Sequence, residues 1–354
     1  MYYADGQIKD EVYVYASFLQ SKMHKAGVIC SDCHEPHSLQ FKAQGNGLCT
    51  QCHDAKAFDT QSHHHHQNNS TGSQCINCHM PQTKYMVVDP RADHSMRIPR
   101  PDLSGELGSP NACIMCHENQ SNTWAAKAIE QWGGISSKNK PYGQLIKAAQ
   151  QGQAQADIDL TEIILDKNQP GIVRATAIYF LQGFAYPKIG ELLDQVYQDK
   201  DPMVRNAVAD YLGVIGPGMR VKHATALLDD PVRAVRMSAA LVLAETPAKL
   251  LRPEQQQAVQ RGLEEYESAQ KYNTDRPEGR TNLGSLYMML NSPAIAEKYF
   301  KSAIEVGPAL AQAYVNLADL YRTLERDQDG ERILRLGLKQ SENPAPIHHA
   351  LGLL

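Results

Sequence analysis

Long apolar runs are missing from this chain of 354 residues. Nothing approaches the ~18 consecutive apolar residues that a membrane span needs. A large charge of one sign is missing too: the formal net charge is −4, so no basic surface invites nucleic acid. The N-terminus, Met1-Tyr-Tyr-Ala-Asp-Gly-Gln-Ile-Lys-Asp10, has neither the basic n-region nor the apolar h-region of an export signal. No cysteine stands alone, since all 8 fall into pairs. At 21% charged residues this reads as an ordinary soluble chain, long enough for two or three domains.

What is present is one five-residue pattern, C-x-x-C-H, repeated four times. It reads Cys30-Ser-Asp-Cys33-His34, Cys49-Thr-Gln-Cys52-His53, Cys75-Ile-Asn-Cys78-His79 and Cys113-Ile-Met-Cys116-His117. This is the attachment signature of a c-type haem. Two thiols form thioethers with the porphyrin's vinyl groups, and the next histidine sits under the iron as its proximal ligand. Structural zinc would explain the cysteine pairs but not a histidine after every one. A thioredoxin-like redox pair lacks its βαβ surroundings. Disulfides would leave the four histidines unexplained. The sequence therefore predicts four covalent haems.

The intervals between first cysteines are 19, 26 and 38 residues, too short and too weakly periodic to enclose a core of their own. They would wrap haem faces instead. Residues 1–120 carry 9 Lys+Arg against 12 Asp+Glu, and the propionates of each haem would make this segment distinctly acidic.

A haem that only carries electrons is best closed on both faces by histidine. Of 14 histidines, the motifs use four, and His223, His348 and His349 lie far downstream. His24, His37, His63, His64, His65, His66 and His94 remain as candidate distal ligands. The run His63–His66 could also be a tag or a loose metal tract, but its place just before the third motif favours a ligand loop. Met80, Met86, Met96 and Met115 are possible axial ligands, although methionine is more often apolar filler.

Ser21-Lys-Met-His-Lys-Ala-Gly-Val-Ile-Cys-Ser-Asp-Cys-His-Glu-Pro-His-Ser38, Cys78-His-Met-Pro81, Asp93-His-Ser-Met-Arg-Ile-Pro-Arg-Pro-Asp102 and Ser109-Pro-Asn-Ala-Cys-Ile-Met-Cys-His117 followed by Trp124-Ala-Ala carry a resemblance. The chain resembles multihaem cytochromes c related to ammonia-forming nitrite reductase and hydroxylamine oxidoreductase, in the branch with C-terminal helical repeats. The resemblance covers about residues 2–135 and extends beyond them by architecture. It implies His37, His94 and members of the His63–His66 run as distal ligands. No C-x-x-C-K occurs here, so the lysine-ligated catalytic haem of nitrite reductase does not carry over. Relatives are also longer at the N-terminus, and haem attachment takes place outside the cytoplasm. The sequence is therefore expected to begin inside a longer, exported protein.

Glu11 to His24 reads as one short helix with an apolar stripe at Val12, Tyr15, Leu19 and Met23. Trp124–Trp132 reads as a helix stopped by Gly133-Gly134, and Ser136–Pro141 as a linker. Then Val173-Arg174, Val204-Arg205 and Val235-Arg236 recur at a spacing of 31. Asp201-Pro202 and Asp230-Pro231 are placed to start helices. This pattern predicts HEAT repeats, with the arginines in structural contacts. A second period of 34 links Leu283-Gly284, Leu317-Ala318 and Leu351-Gly352. With Ala296, Phe300, Ala303 and Pro308 it predicts tetratricopeptide repeats. The last of these stops partway, as if the C-terminus were cut.

The expected fold is mainly α: a haem-wrapped, loop-rich cytochrome domain at 1–135, HEAT-like repeats at 136–255, and tetratricopeptide repeats at 256–354. The expected function is extracytoplasmic (periplasmic) electron transfer through bis-histidine haems, with the helical repeats docking a redox partner protein. The alternative is a fragment of a multihaem reductase or oxidase of small nitrogen or sulfur compounds, whose catalytic haem lies in a missing N-terminal part.

Overall fold

Each C-x-x-C-H motif forms a single helical turn, and this explains its spacing. Helices Cys30–Cys33, Cys75–His79 and Ala112–Cys116 hold three of them, and the second follows the 3-10 stretch Gly45–Leu48. The His34, His53 and His117 amides donate to the carbonyls of Cys30, Cys49 and Cys113 at 3.0, 3.0 and 2.9 Å. Positions i, i+3 and i+4 share a helix face, so one turn presents two thiols and an imidazole together. Side chains begin these turns. Asn111 Oδ1 accepts from the Cys113 and Ile114 amides at 3.1 and 3.2 Å, and Asn46 Oδ1 accepts from the Cys75 amide at 2.9 Å.

The computed structural model describes residues 1–85, 87–134 and 141–354. Contacts divide the chain into two compact units, Met1–Leu192 and Leu193–Leu354. The haem-motif segment within the first unit is short turns and loops around one antiparallel hairpin, Gln82–Tyr85 with Asp89–Ala92. Apart from alanine and proline, its buried apolar side chains among the described residues are Ile8, Phe18, Tyr85, Leu103 and Leu107, while Leu39, Phe41, Phe58, Ile76 and Ile98 are exposed. An apolar interior of ordinary size is not built here from protein atoms alone.

The single helix read from Glu11 to His24 is instead two turns, Tyr15–Phe18 and Lys22–Lys25. Ser21 breaks it: its backbone is extended, and its side chain accepts from the His24 amide to start the second turn. The buried face is Ser17, Phe18 and Ser21, not the apolar stripe, and Tyr15 is exposed. The helix read at Trp124–Trp132 runs Asn122–Gln131, and Gly133 beyond it takes φ +78°. The proposed linker lies almost wholly in 135–140, outside the described residues.

Helix follows helix from Tyr142 onward. In the first unit these are Tyr142–Gln150, Ala156–Leu165 and Gly171–Leu181. Tyr142 and Gly143 sit against Asp5 of the N-terminal segment, so packing ties this first helix to the haem-motif segment although its sequence character is that of the repeats. Helix Ile189–Val196 crosses the boundary between the units.

The second unit begins its repeats with Pro202–Tyr211, Pro217–Leu227 and Arg233–Leu243. The 31-residue period has a physical basis. Val173, Val204 and Val235 are 5%, 0% and 0% exposed, and each following arginine ties its own turn to neighbouring backbone or acid. Arg174 Nε donates to the Ile164 carbonyl at 2.8 Å. Arg205 donates to both oxygens of Asp230 at 2.6 and 2.9 Å, and Arg236 Nη2 donates to Glu265 at 2.8 Å. Arg205 and Arg236 also each donate to the carbonyl six residues upstream, at 2.7 Å in both cases. Asp201 caps its helix by accepting from the Met203 amide at 2.8 Å. Asp230 does not start the next helix as expected, because that helix begins at Arg233. Its carboxylate accepts from the Val232 amide and is otherwise committed to Arg205.

The 34-residue period corresponds to paired helices. Pro277–Met289 packs on Pro293–Val306, and Ala311–Thr323 packs on Asp327–Gln340. A Cβ at Gly284 would lie 2.4 Å from the Phe300 ring, so glycine is what lets that pair close over a fully buried phenylalanine.

Candidate haem centre

The histidines separated by long stretches of sequence come together in pairs. The rings of His34 and His94 lie 6.4 Å apart between centroids, with planes 25° apart. His63 and His79 are at 6.1 Å and 15°. His66 and His117 are at 6.0 Å and 34°. Each pair joins one motif histidine to one candidate distal ligand. A metal bound by a nitrogen of each ring at about 2 Å, with about 1.1 Å from nitrogen to ring centre, puts the centroids about 6.2 Å apart. The three centroid spacings match that distance. Rings stacked in direct contact are closer in this same fold, as with His65 on Trp132 at 4.1 Å.

The hydrogen bonds select the nitrogen that would bind. Nδ1 of His34, His79 and His94 faces the carbonyls of Leu39, Arg97 and Ala92 at 3.1, 3.0 and 2.9 Å. His66 Nδ1 faces the His64 carbonyl at 2.5 Å. A carbonyl only accepts, so each Nδ1 carries the proton and Nε2 keeps a bare lone pair. This is the usual outer-shell arrangement of a metal-bound histidine. Burial, and then the neighbouring His79, push His63 below the ordinary imidazole range, towards the neutral form that binds metal.

Within the His63–His66 run the first and last rings face motifs, and the middle two do not. His65 takes φ +54° as it ends the turn Gln61–His64. That left-handed residue swings the chain so that His63 and His66 meet different motifs. His64 Nδ1 accepts from the His66 amide at 3.2 Å, which places any proton of its neutral ring on Nε2. Gly72 makes room for His66, since a Cβ there would lie 2.2 Å from the ring.

The remaining candidates are placed differently. His24 lies edge-on to Phe18 at 5.4 Å. His37 is 94% exposed and holds Glu35 at 3.3 Å. His53 meets the edge of Phe58 at 5.9 Å, and among the described residues no second imidazole faces it. Met86 lies outside the described residues.

The motifs follow one another in space as in sequence. The Cys33 thiol interacts with Cys52, Cys49 and Cys75 hydrogen-bond each other, and Cys78 interacts with Cys113 and Cys116. Burial, the largest cause, pushes Cys49 and Cys78 up to about 11, so both are neutral thiols near neutral pH. Every cysteine is free. Among the described residues, no three His, Cys, Asp or Glu side chains converge as a zinc site requires. Beside Cys78 a cavity of about 170 Å³ is lined in part by Arg97, Ile98, Leu103 and Tyr142.

Residues 23–58 match the doubled CXXCH motif family, spanning the first two motifs. Residues 158–246 match HEAT repeats. This is a c-type cytochrome with HEAT repeats. Haem c attaches covalently at its doubled motif, and proteins of this kind are typically extracytoplasmic. No helix among the described residues is long and apolar enough to cross a membrane, and HEAT repeats commonly offer surfaces to other proteins. Neither match reaches a particular reductase or oxidoreductase family. No curated protein and no solved structure matches the chain.

Sequence reasoning named the motif residues and the candidate histidines, three of whose rings the fold brings against motif histidines. It missed what holds them: Ser17, Asp93 and Arg97 around the His94 loop, Gly72 under His66, and Trp132 against His65. None of these carries a local signature, because each acts on a residue distant in sequence or on a ring whose direction only the fold decides.

Proposed function

We propose that this chain is a periplasmic, tetrahaem electron carrier, with haem c at all four motifs and bis-histidine iron at three of them. The observation that carries the reading is the set of pairs His34–His94, His63–His79 and His66–His117 at 6.0–6.4 Å. Bound haem supplies an iron that changes oxidation state by one electron. The protein's part would be to supply two neutral imidazoles to each such iron, which would leave no position for an outside ligand and little to rearrange. The hydrogen bond between Cys49 and Cys75, and the mutual influence of thiols in the other consecutive motifs, support haems lying next to one another, as a relay needs. Residues 136–255 as HEAT repeats and 256–354 as tetratricopeptide repeats offer faces for a redox partner protein. Intact mass of protein exported alongside the haem-attachment machinery should show four haems. Replacing Cys75 and Cys78 with Ala should remove one. Zinc, or a load below four, refutes the tetrahaem reading.

His53 carries a second reading. No second imidazole faces it among the described residues, and Gln51, Cys52 and His53 are exposed. An iron there would keep an exchangeable sixth position, which a reductase or oxidase of nitrite, hydroxylamine or a sulfur oxyanion requires. That reading is the one that agrees with the resemblance to nitrite reductase and hydroxylamine oxidoreductase. A high-spin ferric signal that cyanide converts to low-spin favours it. A spectrum low-spin at every haem, with no cyanide uptake, rules it out and leaves His24 or His37 as the missing ligand.

A further inference from the structure

The loop from Ala92 to Arg97 touches two of the proposed irons' ligands. The Ala92 carbonyl accepts from His94 Nδ1 at 2.9 Å, and the Arg97 carbonyl accepts from His79 Nδ1 at 3.0 Å. His94 faces the first motif's histidine and His79 belongs to the third, so one short loop orients rings at two separate centres.

An ion pair fixes that loop. Asp93 accepts from Arg97 Nε at 2.7 Å, from the Ser17 hydroxyl at 2.6 Å and from the Ser95 amide at 2.9 Å. Arg97 Nη1 donates to the Asp5 carbonyl at 3.1 Å, and the Tyr142 hydroxyl donates to the same carbonyl at 2.6 Å. The Asp93 amide donates to the Pro81 carbonyl at 3.1 Å, just beyond the third motif. The two side chains are only 10% and 20% exposed. A largely buried ion pair held by several further hydrogen bonds is costly to leave half-made, which makes it a stiff support. Between its members Met96 takes φ +45°, a backbone that methionine rarely adopts and that the surrounding bonds must hold.

We propose that the Asp93–Arg97 pair is a positioning device that sets the ring planes of His94 and His79 together, so that two irons share one mechanical support. This rests on the bis-histidine reading of His34–His94 and His63–His79. Asp93 and Arg97 would touch no reacting atom. They act through the carbonyls that grip the two imidazoles, as outer-shell partners do.

The test is electron paramagnetic resonance of the full-length, haem-loaded ferric protein. The g-values of low-spin bis-imidazole iron follow the angle between the ring planes, a quantity that general loss of stability does not move. In Asp93→Asn, two low-spin signals should shift: the one that His94→Ala abolishes and the one that His63→Ala abolishes. The other signals and the haem content should stay as in wild type. Arg97→Lys, which keeps the positive charge and the carbonyl, should move the same two signals by less. If Asp93→Asn does not accumulate in loaded form, Ser17→Ala removes one bond to the same carboxylate and is read at the same two signals. A shift at one iron only, at none, or at all of them overturns the shared support. A wild-type protein without low-spin signals overturns the bis-histidine reading itself, and the two failures are thereby told apart.

Discussion

Replacing His94 with Ala removes one ring of a pair and leaves the other in place. In the native fold the His34 and His94 centroids are 6.4 Å apart, close to the about 6.2 Å that two nitrogens at about 2 Å from one metal require. A methyl group at position 94 stops several ångströms short of that metal and has no lone pair to give. Water then takes the position, and the weaker ligand field turns that iron high-spin. His34 stays fixed by its bond to the Leu39 carbonyl, and thioethers at Cys30 and Cys33 should keep the haem attached. With four haems loaded, one quarter of the iron should move from low-spin to high-spin relative to wild type. Ferric protein should then take up one additional equivalent of cyanide. His63→Ala and His66→Ala should each do the same at a different iron, and the triple variant should convert three quarters. His64→Ala and His65→Ala should leave the spin balance alone, since their rings face no motif. Integrated spin-resonance signals with a cyanide titration read all of this. An unchanged spectrum for His94→Ala, or a one-quarter conversion in His64→Ala, refutes the pairing.

Gly72→Ala would put a Cβ 2.2 Å from the His66 ring and should abolish one low-spin signal, the same one lost in His66→Ala. Asp230→Ala leaves Arg205, with a side chain 12% exposed, without its carboxylate. It should cost about 3 kcal/mol in urea denaturation, and a loss under about 1 kcal/mol would mean the pair is not formed in solution. Burial, then Lys222, hold His223 below its ordinary value while Asp194 pulls the other way. As pH falls through the unfolded value of about 6.5, the unfolded chain protonates first. Stability at this helix is therefore complete above that pH and declines below it, and His223→Gln should flatten the melting temperature against pH in the acid range.

The four motif turns were legible because their chemistry is local: Cys, Cys and His at i, i+3 and i+4 need only one helical turn. The HEAT-like period was legible for a similar reason, since Val204 and Val235 are buried at equivalent places and their arginines reach equivalent carbonyls. Other readings failed where a side chain works over a distance. Asp230 looks like a helix cap beside Pro231, but a bond to Arg205 claims it. The stripe from Val12 to Met23 promises a helix, but Ser21 begins a new turn and Ser17 reaches to Asp93. The distal candidates could be narrowed to seven histidines but not paired with motif rings. His94 meets His34 across 60 positions of sequence, and His63 and His66 diverge only because His65 adopts a left-handed backbone that the letters do not announce.

Phe41, Phe58, Ile76 and Ile98 stand open to water in a segment with hardly any interior of its own. Such a segment resembles a metal-dependent small domain, in which the ligand's binding energy is folding energy. Its maturation and its folding then become one event. A chain lacking a haem would leave these side chains accessible to proteases and chaperones. The helical repeats bring their interior with them and are spared this dependence. One polypeptide would then contain a region whose survival depends on haem and another that does not. Limited proteolysis of unloaded protein should cut between residues 30 and 120 long before it touches the repeats.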